Sequence, residues 1–307
     1  MTKYVVKRLL YMIPMLFCVV LLVFLILSFT PGDPASNILP ITATPEVKAA
    51  FNERVGYTGG LVERFFGYLK GLFTGNVISY TTEENIFSEL ALRFPLTLKL
   101  GTISFLLAAI LGVSLGILSA IRQYSFLDTT VTVFAVLFAS VPSFFVAMLL
   151  LMYFAVYKGW FPTFGLDGVR SYVLPVATIV LSSIPVLSRM TRSAMLSAMN
   201  QDYIRTARAK GCREKRVIWK HALKNASLPI ITLLLTGYAS VLGGTVIVES
   251  IFTIPGIGTY LLTAITKKNV PVVMTCTLML AFIFMISMVL MDIFFALINP
   301  KLRERYQ

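Results

Sequence analysis

The sequence predicts an all-α polytopic membrane protein with six transmembrane helices, and three observations carry that prediction. Of 307 residues, 57% are hydrophobic and only 13% charged, whereas an ordinary soluble domain is about 25% charged. Six long runs contain no charged residue at all. The basic residues gather in alternate connections between those runs, as the positive-inside rule requires of a multispan protein.

The uncharged runs are Leu9–Gly32, Leu100–Ile121, Thr129–Tyr157, Ser171–Ser188, Asn225–Val248 and Asn269–Met291. A helix crosses a hydrocarbon core of about 30 Å with roughly 20 residues, so each run is a candidate span. The expected spans are about 9–30, 100–121, 130–157, 171–188, 226–248 and 270–297. The first is longer than the roughly 7–15 residues of a signal-peptide core and reads as a retained anchor. In the second, Gly112 and Gly116 lie four apart, a spacing that permits close helix approach or is ordinary membrane glycine. Pro142 marks a kink in the third. The fourth is short and holds Pro175 and Pro185, so it should be kinked and packed against its neighbours. Ser250–Thr266 is also uncharged, but Pro255, Gly256 and Gly258 disfavour a continuous spanning helix. An interfacial or re-entrant element is expected there.

With the N-terminus in the cytoplasm, inside segments hold 17 Lys/Arg and outside segments 10. Their net charges are +12 and +1, which accounts for the whole +13. The expected topology is therefore N-in and C-in, and the basic pI needs no nucleic-acid partner. The longest connection, 33–99, is nearly neutral and is expected to form an extracytoplasmic cap with helices at Glu46–Arg54 and Leu61–Phe73. No internal repeat divides the chain, so 1–307 reads as one membrane domain.

Catalytic chemistry is missing. The single histidine, His221, leaves no basis for a nucleophile–histidine pair or a histidine-rich metal site. Cys18, Cys212 and Cys276 lack metal or disulfide spacing and read as small packing residues. Ion-coupled secondary carriers keep ionisable groups at mid-membrane. Here Asp292, near the end of the sixth span, is expected to pair with a basic residue, and Glu249 lies at an outer boundary. The chain also lacks a nucleotide-binding G-x-x-x-x-G-K-[ST]. No catalytic residue, metal or cofactor is assigned to it, and energy for pumping is expected from a separate ATPase.

The segment 189–224 carries ten of its twelve charges as Lys or Arg. Charge alone would serve a topology-fixing loop on lipid headgroups. Its length and pattern favour a protein docking site. Asn200 or Asp202 is expected to N-cap a short helix over Tyr203–Lys210, ended by Gly211. Arg205 and Arg208 would form a basic face, and Thr206, Ala207 and Ala209 small positions that a partner can approach. A second, amphipathic helix is expected from Glu214 to Leu223.

At Arg205-Thr206-Ala207-Arg208-Ala209-Lys210-Gly211, followed by Leu228-Pro229, the chain resembles the membrane subunits of ATP-binding-cassette (ABC) importers. Arg205 stands where the generic E-A-A-x-x-x-G signature has an acid, and this form is similar to the oligopeptide/dipeptide (peptide/nickel) permease group. Pro31–Pro34, Arg93–Gly101, Ser140–Phe144, Val248–Gly258 and Asn299–Arg303 resemble the same group, so the likeness runs end to end. Val55–Gly60 departs from it. The large cap resembles that of the first, B-type subunit of a permease pair. The resemblance implies a type I importer permease fold in the bacterial cytoplasmic membrane. It implies that an extracytoplasmic solute-binding protein delivers di- or oligopeptides, with nickel, metal chelates, glutathione or other small solutes as alternatives. A second homologous permease subunit would complete the path, and two ABC ATPase subunits would bind the ATP and Mg. It places the coupling helix at Asp202, Arg205, Thr206, Ala207 and Gly211. Glu249, Pro255, Gly256 and Gly258 are expected to form a periplasmic gate element.

Overall fold

The computed structural model describes residues 2–165 and 168–298. The closing motif Asn299–Arg303 lies outside the described residues, as does the side chain of Asp292. Apart from one isolated bridge between Ile78 and Asn85, the described residues are helical or irregular. In chain order the helices are α1 (Thr2–Phe29), α2 (Pro34–Ile38), α3 (Pro45–Arg54), α4 (Leu61–Thr74), α5 (Ile86–Ile121), α6 (Phe126–Ser140) and α7 (Ser143–Leu150). After a π-helical continuation of α7 over Leu151–Tyr157 come α8 (Arg170–Met199), α9 (Asp202–Ala209) and α10 (Glu214–Arg216). A second π-helical stretch, Val217–Ala222, leads into α11 (Leu223–Ile251), followed by α12 (Ile257–Thr266) and α13 (Val270–Ile298).

Among the described residues five helices are long and apolar enough to cross a membrane: Val6–Phe29, Ile86–Ile121, Arg170–Met199, Glu214–Ile251 and Val270–Leu290. The pair Phe126–Ser140 and Ser143–Tyr157 makes a sixth when taken as one span. That pair is bent by 100°, a much sharper break than the kink expected at Pro142. Pro142 is itself the extended residue that starts α7. Its ring cannot continue α6, and the residue before a proline is driven out of the helical region.

Two further boundaries differ from expectation. Helix α5 begins at Ile86, well before the uncharged run, because its charged turns are held outside the apolar stretch. There Arg93 pairs with Glu89 at 3.3 Å and lies 4.5 Å over the Tyr260 ring. The separate helix expected over Glu214–Leu223 does not exist as such. It is the lower end of one helix running unbroken from Glu214 to Ile251. No proline or glycine interrupts the join, so the helix propagates.

Helix α8 is the hub of the membrane domain and the most buried candidate span. Its prolines Pro175 and Pro185 are both buried within the helix. Low hydropathy is tolerated because protein, not lipid, surrounds it. Helix α5 meets α8 through its glycines: a Cβ on Gly112 would lie 2.6 Å from Leu187 Cβ, and one on Gly116 would lie 2.6 Å from the Ser188 carbonyl oxygen. Of the cysteines only Cys276 is buried; Cys18 is exposed, so the packing role expected of it is corrected.

Three buried clusters result. One joins α1, α4, α5, α12 and α13 around Phe24, Phe65, Ile86 and Met274. A second joins α5, α7, α8 and α11 in the middle of the domain. The third lies at the end carrying the basic loop. Gly116→Val would drive a branched side chain into the α8 backbone, and overpacking of this kind costs roughly 1–3 kcal/mol. The expected outcome is a lower thermal unfolding midpoint in detergent, with Gly243→Val, which meets open space, much less affected.

Candidate functional site

The loop end is built around α9. Gln201, extended at φ −80° and ψ 153°, precedes it and makes no side-chain cap. The expected capping by Asn200 or Asp202 is thus corrected. Asn200 is used to end α8, donating its N–H to the Leu196 carbonyl at 3.2 Å. Asp202 is the first residue of α9, where its negative charge favours the positive helix terminus. The C-terminus closes as a Schellman turn: Gly211 N–H donates to Arg208 O at 2.9 Å and Cys212 N–H to Ala207 O at 3.2 Å. Gly211 sits at φ +75°, a left-handed conformation that side chains with a Cβ disfavour.

The two faces of α9 do different things. Ile204 is completely buried and Ala207 nearly so, packed with Ile117, Met195, Ala198 and Val217. Ala207 therefore faces the protein's own core, not a partner. Its small side chain lets α9 lie close to α8 and to the helix that follows. Asp202, Arg205, Thr206 and Ala209 are exposed. Arg208 does not join Arg205 in a free basic face: its guanidinium grips Glu214 through two hydrogen bonds, 2.6 and 3.2 Å, bridging the Gly211 turn. The pair is exposed and contributes at most about 1 kcal/mol, but it ties α9 to the start of the helix ending at Ile251.

Beside this cluster lies an ion pair that the sequence reading passed over. Arg192 of α8 donates to both carboxylate oxygens of Asp128, at 2.7 and 2.8 Å. Ser119 of α5 and the Tyr124 N–H donate to the same carboxylate. The Asp128 side chain is only 5% exposed. One carboxylate thus binds α5, the following turn, α6 and α8. Its signal in the sequence was a lone acid in the short connection 122–128; its partner, 64 residues on, was one arginine among many.

At the opposite end, Glu249 of α11 is fully buried. Its Oε2 accepts from the Gly258 N–H at 2.7 Å, and Thr97 Oγ1 of α5 accepts from the Ile257 N–H at 2.9 Å. Together they cap the N-terminus of α12, and the carboxylate also complements the helix dipole. Its other oxygen, Oε1, has no partner among the described residues. A Cβ on Gly256 would lie 2.3 Å from Glu249 Oε2, and one on Gly258 would lie 2.4 Å from Val246 Cα. Glycine is required at both by close approach. Of the four expected gate residues, Glu249, Gly256 and Gly258 come together, while Pro255 is exposed on the turn. Thr97 completes the latch and was not singled out from sequence.

Between the two ends a cavity of about 440 Å³ opens among α5, α7, α8 and α11. Its wall mixes apolar side chains with Ser143, Ser182, Ser183, Thr236 and Ser240, and with Gly237 and Gly244. Hydroxyls and bare backbone at membrane depth suit a polar solute without holding it tightly. No cluster of metal-ligating side chains exists among the described residues.

A helical membrane domain with a seated surface helix at one end, a latched helix at the other and a polar-lined cavity between them defines a transport component. Residues 112–304 match the family of binding-protein-dependent transport system inner membrane components, and residues 1–101 match the N-terminal family of such components. The chain belongs to that family and is a permease subunit of an ABC importer, a multi-pass inner-membrane protein. It is 35% identical over 306 residues to the glutathione transport system permease protein GsiC of Escherichia coli (strain K12), covering 99% of this chain and 100% of that one. It is 36% identical over 312 residues to a "Putative peptide transport system permease protein" of Brucella abortus (strain 2308), covering 99% of each. The fold is similar to that of the MetNI methionine ABC transporter (TM-score 0.58, 18% identity, 70% of this chain and 99% of that one). It is likewise similar to an amino acid ABC transporter (TM-score 0.56, 14% identity, 69% and 92%).

Asp128→Ala should leave Arg192 half-buried without its counter-charge. Breaking such a pair costs roughly 3–5 kcal/mol when it is fully buried, so a loss towards the lower end is expected, read as reduced unfolding free energy in detergent. Asp128→Ala with Arg192→Ala should recover part of it, because no orphaned charge remains.

Proposed function

We propose that this permease subunit forms, with a second homologous subunit, the membrane path for di- or oligopeptides handed over by an extracytoplasmic solute-binding protein. Two ABC ATPase subunits bind the ATP and Mg and supply the force, and this chain itself carries no catalytic residue and no cofactor. The observation that carries the reading is the continuous helix Glu214–Ile251. At about 1.5 Å per residue its 38 residues reach nearly 60 Å. Its lower end is clamped to α9 by Arg208–Glu214, and its upper end holds α12 through Glu249. It also contributes Thr236, Gly237 and Ser240 to the cavity wall. Force applied to α9 in the cytoplasm would therefore reach cavity and outer latch along one continuous helix, a route open to a two-state change.

In this reading Asp202, Arg205 and Thr206 touch the ATPase, Ala207 seats α9 on the permease, and Gly211 sets its exit angle. Glu249, Gly256 and Gly258, with Pro255 on the turn, form the outer gate element. A peptide substrate agrees with the relatives named for glutathione, itself a short peptide, and for peptides. A cavity without a metal-ligating cluster offers nothing specific to bare nickel, whose selection would fall to the binding protein.

The test is reconstitution with the ATPases and binding protein. Peptide-loaded binding protein should raise ATP turnover, and uptake should need ATP; uptake driven by an ion gradient alone would overturn the proposal. Gly211→Val puts a β-branched residue into a left-handed position at a cost of about 1–2 kcal/mol. Stimulated turnover should fall by roughly tenfold while membrane insertion is unchanged, and normal transport by that variant would remove α9 from its coupling role.

A further inference from the structure

Beyond the transport path, the cap holds a cavity of about 790 Å³ between α4 and the segments around Val55 and Val77. That is within the roughly 300–1,000 Å³ range of small-molecule sites. Two pairs of opposite charges line it: Arg54 with Glu83, and Arg64 with Glu63. The first pair is closed, at 2.9 Å, and its charges compensate each other. The second is not. Glu63 and Arg64 are successive residues of α4 and project about 100° apart, so they do not face each other.

Arg64 is held without being satisfied. Its guanidinium carbon lies 4.0 Å over the Tyr57 ring and 5.7 Å over the Phe24 ring. Contact with aromatic rings uses the π-face of a guanidinium and not its N–H edge, which is the part that recognises oxyanions. Nη2 is buried and has no hydrogen-bond partner among the described residues. A cationic donor held against two rings and unpaired within the protein suits an anionic acceptor, since buried charged groups are ordinarily paired. Tyr80 lines the same cavity, and burial pushes its hydroxyl up to about 12, so it remains a neutral donor. Glu63 has no ion-pair partner among the described residues and can meet an ammonium group. One charge of each sign outside that closed pair, on a common wall, selects against a plain dianion, which Glu63 would repel, and for a ligand that carries both signs.

We propose that the cap cavity binds a small zwitterion of the amino-acid or short-peptide class, its carboxylate on Arg64 and its ammonium toward Glu63. This site is separate from the membrane cavity and gives the permease its own contact with solute at the outer surface.

The test is titration calorimetry of the assembled transporter in nanodiscs, without binding protein or ATP, using L-alanyl-L-alanine as probe. Saturable binding is expected. Amidation of the probe's C-terminus, or Arg64→Met, should each weaken it by about tenfold or more, the scale of a charge-assisted bidentate contact. Arg64→Lys should retain part of the affinity, and Glu63→Gln should weaken the free dipeptide but not its N-acetyl form. Absence of saturable binding, or wild-type affinity in Arg64→Met, would overturn the inference, the latter by placing the dipeptide in the membrane cavity. If Arg64→Met fails to assemble, the amidated probe and Arg64→Lys decide the matter. Binding at the cap without dipeptide import would leave this inference standing and remove only the peptide-substrate reading.

Discussion

The close approach of α5 to α8 at Gly112 and Gly116 is the constraint from which the rest of the domain follows. Gly112 lies against Leu187 and Gly116 against the Ser188 carbonyl and Thr191, with no room for a Cβ at either, so the spacing of the two helices is fixed there. Helix α5 carries Thr97 near one end and Ser119 near the other; α8 carries Arg192. With their spacing set, Ser119 and Arg192 converge on Asp128, and Thr97 reaches the start of α12. Without water to satisfy stray polar groups, such contacts can be made in few other arrangements.

That rigid pair is the frame against which α11 works. The helix from Glu214 to Ile251 is fastened at its ends by two carboxylates of opposite accessibility. Glu214 is exposed and weakly held, which under the proposed coupling suits a joint that rearranges. Glu249 is buried, backed by glycines whose replacement the space forbids, and suited to a joint that moves as a unit. The long helix thus has a compliant end and a stiff end. Its middle lines the cavity with hydroxyls and glycines, and in the proposed mechanism a change of its tilt would alter the width of that cavity.

Much of this was legible in the chain. Charge-free runs mark the spans because hydrocarbon tolerates few charges, and the short element after Ile254 was legible because proline and glycine cannot sustain a helix across a bilayer. Gly211 showed as a helix end because few other residues tolerate a left-handed turn. The misreadings share a cause. Asn200 looked like an N-cap, but capping preference does not say which of two abutting helices a residue serves. Ala207 looked like a partner-facing small residue, but smallness suits burial equally well, and only the position of Ile204 and Met195 decides the face. The Glu214 helix looked separate because its charges end where the apolar run begins, whereas backbone hydrogen bonding is indifferent to that boundary.

What the sequence determined by itself is local or compositional: an all-helical membrane protein, where its helices run, where its basic loop lies and how α9 ends. These depend on hydration of charge and on backbone conformational preference, which act within a few residues. Tertiary structure alone decided the pairings: Asp128 with Arg192, Glu249 with Gly258, Thr97 with Ile257, and Arg64 against the rings of Tyr57 and Phe24. Most of those depend on residues tens to more than a hundred positions apart being brought within 3 to 6 Å, and the shorter-range ones, Glu249 with Gly258 and Arg64 with Tyr57, on the chain turning back on itself. The close approach at Gly112 and Gly116 is what brings several of them there.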